Sequence, residues 1–96
     1  MGVILNDSGV ALELVRILVK RNLIEFIEQG EVSFSRFKRE NSHIINTPDL
    51  SVADRKELFE LARSSLEIII RAKRVATRIA TENARKVVLK RLRGNT

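Results

Sequence analysis

Ninety-six residues carrying 18 Lys and Arg against 12 Asp and Glu, a net charge of +6, suit one small basic domain and leave no room for a second. The complete absence of cysteine excludes disulfides and thiolate metal sites and is compatible with a reducing compartment. A hydrophobic fraction of 44%, rich in Ile, Leu and Val, excludes intrinsic disorder, yet so short a chain has little surplus stability and gains from a partner or a second copy.

The N-terminal stretch MGVILNDSGVALELV has no basic region followed by a small-residue cleavage site, and Asn6, Asp7 and Ser8 interrupt its apolar run, so no signal peptide is expected. Position 6 is Asn rather than Ser or Thr, which fails the myristoylation pattern. No run of 18 uncharged apolar residues occurs, so neither a transmembrane helix nor a membrane partner is expected, and the expected location is cytoplasmic.

A first helix is predicted over about 8–29. Asp7 or Ser8 can accept a bond from an orphan N–H at its start, and Gly30 can take the left-handed position just past its end. Leu12, Val15, Leu18, Val19, Leu23, Phe26 and Ile27 make it apolar around much of its circumference, which predicts a central helix; Glu13, Arg16 and Lys20 share a solvent face. Val32 and Phe34 alternate with Ser33 and Ser35 as a short strand would. Phe34 and Phe37, three apart behind a Ser33 cap, instead favour a short helix over about 34–41. Asn41, Ser42, Asn46, Thr47, Pro48 and Asp49 mark a loop over about 42–50, tethered by Ile44 and Ile45.

Ser51, or Thr47-Pro48 in competition, opens the last element, and neither Gly nor Pro interrupts residues 52–93 before Gly94 stops it. Leu58, Ala62, Leu66, Ile69, Ala72, Ala76, Ala80, Ala84 and Val87 hold one side of this long helix; beyond Asn83 the sides blur, because Val88, Leu89 and Leu92 fall on or beside the polar one. Unbroken, it would extend about 63 Å and overhang any core this chain can build. Either it breaks, with Ser64-Ser65 the expected point, or it pairs with another chain through Ala72, Ala76, Ala80 and Ala84, with the stray aliphatics as a further partner surface. The expected class is all-α: a single helical domain over 1–96 with a long C-terminal amphipathic basic helix.

The charge is local. Residues 1–50 hold six basic and seven acidic side chains, residues 51–96 twelve and five. Arg71, Lys73, Arg74, Arg78, Arg85, Lys86, Lys90, Arg91 and Arg93 face the single acid Glu82, and on a continuous helix Arg71, Arg74, Arg78 and Arg85 fall within roughly 60° of one another. Such a stripe meets phosphates or carboxylates; the plainer reading is a solvated face that serves solubility and thermostability. Arg36, Lys38 and Arg39 beside Phe37 form a secondary basic patch. There is no Trp or Tyr, and all four Phe fit core spacing, so base stacking contributes little.

The search for catalytic chemistry is negative. His43 is the only histidine and reads as a loop residue; Ser64-Ser65 has no nucleophile elbow; the glycines at 2, 9, 30 and 94 never cluster into a phosphate-cradling loop. The carboxylate pairs Glu57/Glu60 and Glu25/Glu28 sit beside basic residues and read as solvated helix faces. No catalytic residue, metal ligand or cofactor is expected.

Residues 22–39, from Asn22-Leu23-Ile24 through Gly30 to Phe37-Lys38-Arg39, resemble the opening of winged-helix domains, a helix, a Gly-containing turn and a short second helix, which implies DNA binding by a following recognition helix. In size and character, the short cysteine-free chain rich in Ile, Val and Arg with its basic run Arg71–Arg93 resembles the small basic helical accessory subunits of crenarchaeal replication complexes, including those attached to B-family DNA polymerase. That resemblance implies an accessory role. The expectation is therefore a non-enzymatic accessory subunit of a nucleic-acid-processing assembly that contacts phosphates through its basic helix. A purely structural module for an acidic partner and a winged-helix-like DNA-binding regulator are the alternatives.

Overall fold

The computed structural model describes residues 7–75 and 78–94, with side chains from residue 9 onward. Among them run four helices and no strand: α1 (Asp7–Glu28), α2 (Phe34–Ile45), α3 (Val52–Val75) and α4 (Arg78–Leu92). The all-α class holds.

Local chemistry sets most of the boundaries. Gly30, at φ 88°, closes α1: its N–H donates to Ile27 O (2.9 Å) and the Glu31 N–H reaches back to Phe26 O (3.1 Å), so two orphan carbonyls are satisfied by the paired bonds of a left-handed glycine cap. Gly94 (φ 89°) follows α4, its N–H donating to Arg91 O at 3.1 Å as that of Gly30 does to Ile27 O. Ser33 Oγ accepts from the Arg36 N–H (3.2 Å) at the start of α2, and Ser51 Oγ from the Asp54 N–H (3.1 Å) at the start of α3, so Ser51 rather than Thr47 is the cap. The side chains of Asp7 and Ser8, expected to cap α1, lie outside the described ones.

Two boundaries differ from the sequence reading. α2 continues one turn past Asn41 to Ile45, so Ser42, His43, Ile44 and Ile45 are helical and the loop starts at Asn46. Asn41 is the reason. It is buried, its Nδ2 donates to Phe37 O (2.9 Å) within α2, and its Oδ1 accepts from Asn22 Nδ2 (2.8 Å) across to α1. A polar side chain that would mark a loop at the surface is here a satisfied buried bridge.

The second difference is larger. The long helix does not break at Ser64-Ser65, which lie within α3, where Ser65 Oγ donates to Leu61 O (2.8 Å). It ends at Val75, and α4 begins at Arg78 and runs back along α3, so that Leu61, Ser64, Ser65 and Ile68 share one cavity with Val88, Arg91, Leu92 and Lys20 of α1. The cause is an apolar phase shift. The α3 core residues Leu58, Ala62, Leu66 and Ile69 and the α4 core residues Val88, Leu89 and Leu92 would lie roughly 130° apart on one straight helix, so a straight helix cannot bury both sets on one core. Folding back buries all seven, leaving Val88 1%, Leu89 9% and Leu92 6% exposed. These aliphatics are thus part of the chain's own core and not a partner surface.

The core also takes Val15, Val19, Leu23, Phe26 and Ile27 from α1, Phe37 and Ile45 from α2, and Leu50 from the loop, with Phe26 and Phe37 edge to face at 5.3 Å. α1 touches the three other helices, as a central helix should. Its far side stays open, with Val10, Leu14 and Ile17 each more than half exposed.

Candidate nucleic-acid interface

None of the described residues between 70 and 87 is buried, so the α3–α4 hairpin extends about 9 Å past Ile69, the last buried residue of α3. The radius of gyration, 15.0 Å, exceeds the about 12.5 Å expected for a compact chain of this length, and the long axis measures 56 Å. Protrusion has an electrostatic consequence: charges at the hairpin tip stand exposed to water, where a large anion has free access.

Arg71, Lys73 and Arg74 at the end of α3 and Arg78 at the start of α4 are all exposed and gather at this tip. Lys86, Lys90 and Arg91 are exposed along α4, and Arg85 is half-buried because it lies one turn from Leu89 on the side that packs inward. The expected single stripe of Arg71, Arg74, Arg78 and Arg85 is therefore divided. The chain reversal gathers three of its members and turns the fourth toward the core.

The alanine side is divided too. Ala72 and Ala84 are half-buried, Ala80 is exposed, and Ala76 lies outside the described residues. Continuing the α3 phase would also have buried Val87, which is instead 47% exposed. Among the described residues, Ala72 stands on α3 and Ala80 and Ala84 on α4, so these three do not line one continuous helix.

Ion pairing sorts the cations. Arg16 bonds Glu13 (2.8 Å) and Glu57 (2.9 Å); Arg36 bonds Glu31 (2.8 Å) and Glu40 (2.9 Å); Arg63 bonds Glu60 through Nε at 3.0 Å. These contacts raise the three arginines above their ordinary pKa, the largest cause being the hydrogen bonds to Glu57, Glu40 and Glu60 respectively, and the Arg63 hydrogen bond lowers Glu60. Arg71 has a long contact to Glu67 (3.8 Å), and Arg93 pairs with Glu28. Among the described residues, Lys73, Arg74, Arg78, Arg85, Lys86, Lys90 and Arg91 form no ion pair. Glu82, four residues from Arg78, does not engage it.

The secondary patch is less available. Besides its two carboxylates, Arg36 has its guanidinium 5.9 Å from the Phe26 ring centroid, and Lys38 lies 5.3 Å from that of Phe59, leaving Arg39 as its unengaged cation. Phe26 and Phe37 are buried and Phe34 and Phe59 half-buried, so the aromatics serve packing.

Among the carboxylate pairs, Glu57 pairs with Arg16, Glu60 with Arg63 and Glu28 with Arg93, the pattern of ion-paired helix faces. His43 is exposed in the last turn of α2, and among the described residues no three His, Cys, Asp or Glu side chains gather as a metal site. No described helix is long and apolar enough to cross a membrane. α1, the Gly30 turn and α2 reproduce the helix–turn–helix succession of residues 22–39, but no strand follows among the described residues to form a wing. Comparison with models of protein families, with curated proteins and with solved structures finds no match.

Proposed function

We propose that this protein is a non-enzymatic accessory subunit of a nucleic-acid-processing assembly of the DNA replication type, holding the phosphate backbone with its protruding basic hairpin. One observation carries the reading: among the described residues, seven cations between Arg71 and Arg93 form no ion pair, while acids elsewhere are engaged by Arg16, Arg36 and Arg63. Cations left in water and projected from the core are positioned to release counterions from a polyanion, and that release drives backbone binding. From Arg78 to Arg91 the cations of α4 span about 20 Å of helix axis, enough to follow several phosphates. Such contacts position a protein without reading bases, which suits an accessory role.

A second reading, contact with an acidic protein, is favoured by Val75 and Ile79, which stand 85% and 72% exposed among the tip cations. Salt dependence separates the two. Replacing Arg71, Lys73, Arg74 and Arg78 together by Gln, all exposed positions, leaves the fold intact. If all four contact duplex phosphates, the slope of log affinity against log salt becomes shallower by about 3.6, at roughly 0.9 per contact, and by the same amount on unrelated sequences. An unchanged affinity and slope, or no binding by the parent protein at low salt, removes the nucleic-acid reading.

A further inference from the structure

Among the described residues, nothing covers the outward, apolar side of α1. Val10, Leu14 and Ile17 are 55%, 58% and 58% exposed and recur at spacings of four and three, opposite the Val15, Val19 and Leu23 side that meets the core. A helix that is apolar on both sides is ordinarily covered on both, and here α2, α3 and α4 contact α1 while this row stays exposed.

From the row's own pattern we infer that it is covered by the same row of a second copy, in an antiparallel pair. With the two-fold axis between positions 15 and 16, Leu14 of each copy meets Ile17 of the other, and each Val10 packs on the aliphatic stem of the opposite Arg21. The same register sets the flanking Glu13 of each copy beside Lys20 of the other, so one choice of register satisfies both the apolar row and its charges. A parallel pair turns the Glu13 and Lys20 flank of each copy toward the other flank of its partner, where Ala11 and Leu18 stand, and so forms no such ion pair. Glu13 has room for this contact: its side chain is 62% exposed even while it holds Arg16.

The row presents on the order of 400 Å² per copy with the Lys20 and Arg21 stems, so pairing covers about 800 Å², which places the dimer in the weak, reversible class. This surface lies on α1, away from the hairpin, and remains available whether or not the cations hold a polyanion.

Charge reversal tests the register. Sedimentation velocity from about 10 µM to about 1 mM covers the range in which so small an interface reports. The parent chain shifts from monomer to dimer across that range; Glu13→Lys and Lys20→Glu each weaken the dimer at least tenfold; the double variant recovers most of the loss. Leu14→Glu, an exposed change, abolishes the dimer while circular dichroism keeps the helical signal. A parent chain that stays monomeric throughout, a dimer that survives Leu14→Glu, or a double variant that adds the two losses instead of cancelling them overturns the inference.

Discussion

Leu92 offers the sharpest test of the reversal between α3 and α4. Its side chain is 6% exposed and shares a cavity with Leu61, Ser65 and Val88. Truncation to Ala removes three buried carbon atoms and leaves part of the space empty, which costs about 2 to 3 kcal/mol, toward the low end for such changes because Leu92 ends its helix and the site can partly collapse. A chain of this length holds a total of about 5 to 14 kcal/mol, so the loss is a large share. Val75→Ala is the control: Val75 is 85% exposed, and its truncation costs about zero. In urea unfolding followed by circular dichroism, with a slope of about 1.5 kcal/mol per molar, Leu92→Ala moves the midpoint down by about 1.3 to 2 M, and Val75→Ala leaves it within about 0.3 M. If the two variants behave alike, α4 does not dock on α3 and the phase-shift argument fails. A continuous helix would leave both residues in water and predicts that outcome.

Three further expectations follow from named contacts. Gly30→Ala destabilises by about 1 to 2 kcal/mol in the same assay, purely through the left-handed backbone at φ 88°, since an added Cβ meets nothing within 4 Å; a neutral result would mean the α1 cap adopts another conformation. The Arg63 hydrogen bond lowers the Glu60 pKa, so the contact is complete above the ordinary glutamate value and is lost only as pH falls through the lowered folded value. An NMR titration of the Glu60 carboxyl gives a midpoint below the ordinary one, and Arg63→Gln moves it up. Glu28→Gln releases Arg93 and strengthens duplex binding modestly at low salt, the pair being exposed, whereas weaker binding by this variant would turn the basic surface toward protein contacts.

Short-range chemistry made much of this protein legible in its sequence. The glycine after α1, Ser33 and Ser51 ahead of α2 and α3, and Gly94 after α4 act through bonds within a few residues, so their effects can be read locally, and the structure has them where the residues say. The cations of the C-terminal segment were legible as well, since charge is a property of composition. What the fold alone decided concerns residues distant in sequence. Asn41 reads as a loop residue until Asn22 of α1 supplies its partner and makes a polar side chain tolerable in the interior. The reversal after Val75 has no glycine or proline to announce it. Its one signal is the offset between the apolar side ending at Ile69 and the one beginning at Val88, visible in the sequence as aliphatics straying onto the polar side. That offset carries no meaning until α1 and α3 provide a groove for the stray residues to fill. Burying Val88, Leu89 and Leu92 there divides the arginine stripe and the alanine side, gathers Arg71, Lys73, Arg74 and Arg78 at one tip, and leaves one apolar row of α1 in water, because a chain this small cannot cover every side of its central helix.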